Sequence, residues 1–207
     1  AKREGNWVKT PAGPGIHLFS DLMKQKFSPI QKKEMKSQDI AMFLYTGGTT
    51  GVSKGAVLTH RNLIANLVQV RTWCTGLVVE REVILAALPF FHSYGLTTCL
   101  QFSMFIRSML VLIPRFDINL ILKAIDRYNV SLFPGVPTMY VAVNNHPEVG
   151  KYNLKHVKVC LSGAAPLPLE VAKKFEAITE GGRLIEGYGL SETSPVTHAN
   201  PILGERR

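Results

Sequence analysis

Short apolar runs of strand length alternate with stretches of helical length from Asp39 to Glu186. This alternation predicts strands at 40–45, 83–88, 109–113, 130–133, 157–161 and 183–186. Helices are predicted between them at 59–73, 94–107, 117–128, 137–144 and 167–178. The first strand is expected to be buried. Repeated β-α units bring successive strands side by side in one direction, so we expect an α/β fold with a mostly parallel sheet flanked by helices.

The first 38 residues differ from the rest of the chain. They are rich in Gly, Pro and Lys, show little periodicity, and hold eight basic residues against three acidic ones. We therefore divide the chain into a basic, partly irregular lead-in (1–38) and an α/β portion (39–207). The whole sequence carries 24 basic and 15 acidic residues, a formal net charge of +9. This charge favours an anionic partner, such as a nucleotide, a coenzyme, a nucleic acid or a lipid headgroup.

Several classes of protein are excluded. The longest apolar run covers about nine residues, at 83–91, whereas a membrane-spanning helix needs about 20. No apolar stretch follows the basic N-terminus, so no signal peptide is predicted. Cys74, Cys99 and Cys160 lie far apart in apolar surroundings, which indicates buried, reduced thiols rather than a zinc ribbon or a disulfide scaffold. The chain does not begin with Met, and we expect it to be a segment of a longer protein.

The loop after the first predicted strand has the composition of a phosphate-binding loop. It reads Tyr-Thr-Gly-Gly-Thr-Thr-Gly-Val-Ser-Lys-Gly from Tyr45 to Gly55. Glycines let backbone N–H groups approach an anion, hydroxyls add donors, and Lys54 supplies a positive charge. This combination suits the phosphates of a nucleotide, although the spacing differs from that of the Walker motif.

Two alternatives exist for this loop. One is a flexible hairpin turn, which would not need three threonines and a lysine. The other is the G-x-S-x-G nucleophile elbow of hydrolases, which residues 51–55 match. That motif requires its serine on a sharp turn between a strand and a helix, and Ser53 lies about eight residues beyond the predicted strand. The spacing therefore argues against a hydrolase.

Two further loops after strands carry unusual residues. Residues 89–95 surround His92 with aromatic side chains, where an imidazole can orient a carboxylate or can simply be packed. The segment 186–193 places Tyr188 between two glycines, so that its ring is free to stack on a flat base. In the same segment, Glu192 and its hydroxyl neighbours offer the oxygen ligands that Mg²⁺ prefers. For the Gly-Tyr-Gly pattern alone, an ordinary strand-end turn is an equally good explanation.

The three loops, in this order, resemble the motifs of the adenylate-forming (AMP-binding) superfamily, which includes acyl-CoA synthetases, luciferases and adenylation domains. The detail of 88–97 and 186–201 is most similar to bacterial long-chain fatty acid–CoA ligases. The resemblance covers about residues 38–203 and implies the central part of the large N-terminal domain of such an enzyme. It implies that a carboxylate and ATP form an acyl-adenylate and pyrophosphate, after which the thiol of coenzyme A displaces AMP.

Roles for individual residues follow from this resemblance. The triphosphate would be bound by Thr46, Gly47, Gly48, Thr49, Thr50, Gly51, Ser53 and Lys54. The adenine slot would be formed by Gly163, Ala164, Glu186, Gly187 and Tyr188, and Ser191 would contact a nucleotide phosphate. Thr46 and Glu192 would hold Mg²⁺. His92, near the acyl carboxylate, and Glu192 would be the catalytic residues.

The resemblance also sets expectations for the whole protein. Its substrates would be a long-chain fatty acid, ATP and coenzyme A, and nucleic acid would not be a partner. Family members are much longer and continue to a hinge and a mobile C-terminal domain with a lysine needed for adenylation, so little or no turnover is expected from these 207 residues alone. A cytoplasmic location is implied, with peripheral contact to the inner membrane face and a homodimer both permitted. The alternatives are another acyl- or aryl-acid adenylating enzyme and a basic anion-binding module.

Overall fold

The computed structural model describes residues 13–29, 31–46 and 53–203. The chain divides into two compact units, 1–35 and 36–207. In the first unit, Phe19–Leu22 forms a short helix (α1), and Asp21 pairs on the surface with Lys24. Within the described ranges, no helix has the length and apolar character needed to cross a bilayer.

The second unit is built on a parallel sheet. Its strands are β1 (Ile40–Thr46), β2 (Lys54–Thr59), β3 (Val83–Ala86), β4 (Met109–Leu112), β5 (Val159–Ser162), β6 (Arg183–Gly189) and β7 (Val196–Ala199). β3 pairs in parallel with β4, and β5 with β6. Leu132 joins the two pairs through parallel bridges to Ile84 and Val159. β7 adds to β6 in the antiparallel direction, so the predicted α/β class with a mostly parallel sheet is confirmed.

Helices cover both faces of this sheet. They are α2 (His60–Trp73), α3 (Ser93–Gly95), α4 (Phe102–Phe105), α5 (Ile118–Tyr128), α6 (Pro137–Asn144) and α7 (Leu169–Thr179). One buried cluster packs α5, α6 and α7 against the face that carries Leu85 and Cys160. The other packs α2 and α4 against the face that carries Ile84 and Ile185. Ile84 and Leu85 belong to different clusters because successive side chains of a strand point to opposite faces.

Local capping explains where the helices begin. The hydroxyl of Thr59 accepts a hydrogen bond from the backbone N–H of Asn62, and the side-chain oxygen of Asn62 accepts one from the backbone N–H of Thr59, which is a capping box. Asp117 accepts two backbone N–H groups of the first turn of α5. The helix predicted at 94–107 consists of α3, a π-helical segment at Leu96–Gln101, and α4.

The strand predicted at 40–45 is present, but the expectation that it is buried is wrong. β1 pairs with β2 in an antiparallel two-stranded sheet, and β2 is absent from the predicted elements. Phe43 and Val57 are opposite each other and are 56% and 53% exposed. The other face carries Leu58, which is buried. In a two-stranded ribbon packed on one side, alternate residues face outward, and this accounts for the difference.

An ion pair between the buried Glu82 and the half-exposed Lys158 joins β3 and β5 at the amino ends of these strands. The side chain of Glu82 is completely buried, and its two carboxylate oxygens lie 2.8 and 3.1 Å from Nζ of Lys158. The backbone N–H of Val78 donates to the same carboxylate at 2.8 Å. Burial alone would raise the pKa of Glu82, but the bonds from Lys158, Ser131 and Val78 outweigh it and lower the pKa.

Replacing Glu82 with Gln should lower the free energy of unfolding at pH 7 by about 1–3 kcal/mol, because the charge-assisted bonds are lost. Since the folded-state pKa of Glu82 is lowered, its stabilisation is fully present above the ordinary carboxyl pKa and is lost as the pH falls through the lowered value. Urea unfolding of wild type and variant between pH 7 and pH 3 should therefore show a shrinking difference. Glu148→Gln, which breaks the exposed pair with Lys151, is the control and should cost about 0.5 kcal/mol or less. A difference that stays constant with pH would contradict the prediction.

Candidate functional site

The loops that follow the strands enclose a cavity of about 490 Å³. Parallel strands deliver their following loops to one edge, where α/β proteins bind ligands. The described lining consists of Thr46, His92, Ser93, Tyr94, Leu161, Gly163, Ala164, Gly187, Tyr188, Gly189, Leu190, Ser191, Glu192, Pro195 and Val196. Eight of the residues predicted for the site are among them, and they come from all three predicted loops. The structure thus brings residues of these loops together around one space, with Thr46 as the described contribution of the first loop.

The turn before α3 fixes the orientation of His92. Nδ1 of the imidazole accepts a hydrogen bond from the backbone N–H of Tyr94 at 3.2 Å, so in the neutral ring Nε2 carries the proton. Gly95 allows this tight turn, because a Cβ there would lie 2.5 Å from the carbonyl oxygen of Pro89. The exposed ring can therefore donate a hydrogen bond from Nε2 to an anionic group in the cavity.

Oxygen atoms form another part of the lining. The hydroxyls of Ser191 and the buried Ser93 are 3.3 Å apart, and the side chain of Glu192 is exposed. Thr46 donates its hydroxyl proton to the carbonyl of Lys54 at 3.3 Å, which leaves lone pairs of its oxygen for a ligand. Among the described residues, no three His, Cys, Asp or Glu side chains are grouped to hold a metal ion. The carboxylate of Glu192 and the hydroxyl of Thr46 fit Mg²⁺, which takes one or two carboxylates and completes its shell with water and phosphate oxygens.

A second cavity, of about 690 Å³, lies next to the first and has the features of a slot for a flat ring. Ala164, Ala165 and Pro166 form one part of its lining and Tyr188 another. The Tyr188 side chain is 60% exposed, and its ring centroid lies 6.2 Å from that of His198, its partner across β6 and β7. Small side chains leave room for a ring, and Tyr188 offers an apolar face on which a ring can stack.

Contacts between β5 and β6 hold this slot in shape. Glu186 accepts a hydrogen bond from the backbone N–H of Leu167 at 3.1 Å, so its carboxylate ties β6 to the loop after β5. Gly187 packs on Leu161, whose Cδ1 would be 2.7 Å from a Cβ at this position. Ala164 adopts a φ of 68°, a left-handed conformation that costs a non-glycine residue about 1–2 kcal/mol. Such strain persists where the surrounding contacts fix the backbone.

Some predicted site residues are not brought into these cavities. Ser53 and Lys54 line neither of them, and Lys54 is the exposed first residue of β2. Ser53 directly precedes a strand, which excludes the nucleophile elbow, as the spacing in the sequence indicates. The glycines and threonines between β1 and Ser53 lie outside the described residues, and their role stays a prediction; they are Gly47, Gly48, Thr49, Thr50 and Gly51.

Sequence reasoning missed the other seven residues of the described cavity lining, which are Ser93, Tyr94, Leu161, Gly189, Leu190, Pro195 and Val196. Ser93 and Tyr94 follow His92 directly, but adjacency does not tell which side chains turn toward the core. Gly189 could have been found from the sequence, because it belongs to the Gly-Tyr-Gly motif around Tyr188. A Cβ on Gly189 would lie 2.1 Å from the carbonyl oxygen of Pro195, so the second glycine of this motif is required by close backbone packing between β6 and the segment before β7.

A third cavity, of about 590 Å³, lies between α2, one face of the sheet and β7. Its lining is largely apolar and includes Val70, Val159 and Ile185. Leu161 and Val196 line both this cavity and the first one. The first cavity and this apolar space therefore share a wall.

The cysteines play no nucleophilic part in this site. All three are free thiols, with Cys99 and Cys160 buried and Cys74 half-buried. Burial raises the pKa of Cys74 to about 11 and that of Cys99 to about 12, and raises that of Cys160 as well. Because only a thiolate is a strong nucleophile, these groups are unreactive near neutral pH. Cys99 and Cys160 are buried as predicted, whereas Cys74 is only half-buried.

The fold and the site define an α/β protein whose ligand cavities lie beyond the carboxyl ends of a parallel sheet. A family model described as "AMP-binding enzyme" matches residues 5–207, and the chain belongs to this family. The resemblance found in the three loops is thereby confirmed.

Curated relatives and solved structures extend this result. The chain is 46% identical over 194 residues to a long-chain-fatty-acid–CoA ligase of Bacillus subtilis, covering 93% of this chain and 34% of the relative. It is 34% identical over 187 residues to 4-coumarate–CoA ligase 2 of Nicotiana tabacum, covering 89% and 34%. Two structures of MatB from Rhodopseudomonas palustris are similar to this chain, and each match covers 86% of this chain and 34% of MatB. The structure without ligand has a TM-score of 0.75 and 30% identity. The structure with ATP bound has a TM-score of 0.72 and 32% identity. The chain thus spans about a third of the length of each relative.

Replacing Gly189 with Ala should lower the free energy of unfolding by about 1–3 kcal/mol, because its Cβ would meet a backbone oxygen that can move only if β6 and the segment before β7 separate. Gly150→Ala is the matched control, since nothing lies within 4 Å of a Cβ there, and it should change stability by about 0.5 kcal/mol or less. Denaturant unfolding measures both. Equal effects of the two substitutions would contradict the packing argument.

Proposed function

We propose that the chain is the nucleotide- and carboxylate-binding part of an ATP-dependent acyl-CoA ligase whose acid is a long-chain fatty acid. The observation that carries this proposal is that Thr46, His92, Ser191 and Glu192 line one cavity, beside a slot that contains Tyr188. Residues 39–207 would form the central part of the enzyme's large domain, preceded by the lead-in at 1–38. The relative with 46% identity is named as a ligase for long-chain fatty acids, and MatB is known with ATP bound.

The proposed reaction has two steps. A carboxylate oxygen attacks the α-phosphorus of ATP, the bond to the β-phosphate oxygen breaks, and acyl-adenylate and pyrophosphate result. The thiol of coenzyme A then loses its proton and attacks the acyl carbon, and AMP leaves. Neither step needs a covalent protein nucleophile, so the protein contributes by positioning the reactants and by stabilising charge on the phosphates.

Each side of the cavity suits one of the reactants. The base of ATP would occupy the slot between Ala164 and Tyr188, and its phosphates would extend toward Ser191. His92 would direct its Nε2 proton at the carboxylate or at an α-phosphate oxygen, because Nδ1 is already occupied by the N–H of Tyr94. A donor held in this way loses little freedom when the substrate binds.

Mg²⁺ would be held by Glu192, by the hydroxyl oxygen of Thr46, and by phosphate oxygens of the nucleotide. When bound, the ion neutralises part of the phosphate charge and so supports the displacement of pyrophosphate. The neighbouring hydroxyl of Thr193 is already bonded to the carbonyls of Leu190 and Pro195. In this segment we therefore assign the ion to the carboxylate of Glu192.

The acyl chain would lie in the third, apolar cavity. This cavity shares Leu161 and Val196 with the first cavity, which holds His92, so an acid whose carboxylate lies in the first cavity could extend its hydrocarbon chain into the third. Both hydrogen-bonding groups of the Val196 backbone are bound to the side chain of buried Asn66, which fixes the shared wall. Burying each methylene contributes about 0.8 kcal/mol, which favours a long aliphatic acid.

An aryl acid is the second candidate for the substrate, because the chain is also 34% identical to a 4-coumarate–CoA ligase. The two candidates differ in how rate depends on chain length. An aliphatic pocket should improve kcat/KM as methylenes are added, whereas a slot for an aromatic acid should show no such trend. A series of fatty acids and cinnamic acids, scored by pyrophosphate release, distinguishes them.

Replacing Tyr188 with Leu should raise the KM for ATP about tenfold in the natural-length protein that contains this sequence, because a base loses its stacking partner. Glu192→Gln should lower the rate of pyrophosphate release about 100-fold or more and raise the Mg²⁺ concentration needed for half-maximal rate. Tyr128→Leu removes a tyrosine at the end of α5, away from the cavities, and should leave the KM for ATP unchanged. An unaltered KM in Tyr188→Leu would rule out the proposed base slot.

Replacing Val70 with Trp should fill part of the apolar cavity and reduce kcat/KM for long acids about tenfold or more, while short acids are affected less. Val68→Trp is the matched control, because Val68 lies on the same helix but is 47% exposed. The measurement is pyrophosphate release with acids of increasing length. The assignment of the acyl chain to this cavity fails if both variants keep the wild-type preference.

A further inference from the structure

Tyr94 is buried between the first cavity and the core. Its side chain is 9% exposed and forms part of the cavity lining. Its hydroxyl lies within hydrogen-bond distance of two carbonyl oxygens, those of Leu161 in β5 and of Gly135 in the segment after Leu132. Because both acceptors belong to the backbone, the phenol is engaged with the protein and is not presented to a ligand.

The ring of Tyr94 also supports the loop that forms the base slot. A Cβ on Gly163 would lie 3.1 Å from Cε1 of this ring and 3.2 Å from Cζ. Gly163 lines the first cavity and directly precedes the strained Ala164, which lines both cavities, so the ring packs against the start of this loop. A shift of the ring toward Gly163 would displace this loop, because the space between them is already too tight for a Cβ.

The backbone of Tyr94 contacts the other side of the site. Its N–H donates to Nδ1 of His92 and so sets which nitrogen of the imidazole faces the cavity. One residue therefore contacts both the loop of the base slot and the side chain assigned to the acyl carboxylate. Its hydroxyl secures the first through Leu161, and its amide secures the second.

We propose that Tyr94 is a positioning residue for adenylation, which fixes the separation between Gly163, directly before Ala164 of the base slot, and the imidazole of His92. The inference rests on the proposed function. It goes further by naming the group that couples the nucleotide side of the site to the carboxylate side. Displacements of about 1 Å between reacting groups are enough to cost about 100-fold in rate, so a residue that holds both sides controls the chemical step.

Tyr140 provides a matched comparison. It is fully buried, and its hydroxyl donates to the same Leu161 carbonyl at 3.0 Å and to that of Phe133 at 2.7 Å. Its ring belongs to the core cluster on the opposite face of the sheet, against Phe133 and Phe175, and does not line the cavities. Removing either hydroxyl takes one donor from Leu161, but only Tyr94 also touches Gly163 and His92.

The test compares Tyr94→Phe with Tyr140→Phe in the natural-length protein. Both variants should lower the thermal midpoint by similar amounts, because each loses one buried hydroxyl. In Tyr94→Phe the ring loses its bonds to Leu161 and Gly135 and can shift against Gly163, whereas the ring freed in Tyr140→Phe lies in the opposite core cluster. At a temperature where both are folded, Tyr94→Phe should therefore lower kcat for ATP-dependent pyrophosphate release about tenfold or more, while Tyr140→Phe stays within about twofold of wild type. The inference is overturned if the two variants lose activity equally, or if Tyr94→Phe keeps the wild-type kcat.

A double-mutant cycle tests the contact with Gly163 even if one variant folds poorly. Gly163→Ala should impair the enzyme with Tyr94 present and should add little in a Tyr94→Leu background, where the ring no longer occupies that space. Two defects that simply multiply would contradict the proposed coupling.

The outcome for Tyr188→Leu separates this inference from the proposed function. If the KM for ATP responds to Tyr188→Leu and kcat does not respond to Tyr94→Phe, only the positioning role is wrong. If wild type shows no ATP-dependent pyrophosphate release with any carboxylate, both are wrong.

Discussion

The parallel pairing through Leu132 is the constraint on which the site depends. This residue bridges β3 on one side and β5 on the other. The strand predicted at 130–133 is reduced to these isolated bridges. Because it holds the two strand pairs in parallel register, the loops after β3, β5 and β6 reach the same edge of the sheet. His92, Gly163 and Tyr188, far apart in sequence, then meet around one cavity.

The two ends of the sheet are stabilised by different physics. At the amino ends, a charged pair of Glu82 and Lys158 connects β3 with β5. At the carboxyl ends, two buried phenols bind the carbonyl of Leu161, and burial keeps the pKa of both phenols well above the ordinary value, so they remain donors at any physiological pH. At this end of the sheet, uncharged phenols thus hold the carbonyl of Leu161, and the carboxylate of Glu186 ties β6 to the loop after β5.

Periodicity and capping made most of the fold predictable. Thr59 and Asp117 start helices where their side chains predict, and the apolar runs give the strands of the parallel sheet. β2 was not predictable in this way, because Lys54 and Gly55 belong to a loop by composition and become a strand only through pairing with β1. The cavity lining around Tyr188 and Glu192 was visible from residue type. The role of Tyr94 was not, since it depends on carbonyls of Leu161 and Gly135, which sequence patterns do not reveal.

The hairpin of β1 and β2 has a consequence for the behaviour of the chain in solution. Phe43, Tyr45 and Val57 point outward from it and are all more than half exposed, and among the described residues β1 pairs with β2 alone. An apolar strand with a free edge is a template for another strand. At high concentration, these 207 residues would therefore tend to self-associate through this ribbon, and charged substitutions on its outward face should improve solubility without touching the ligand cavities.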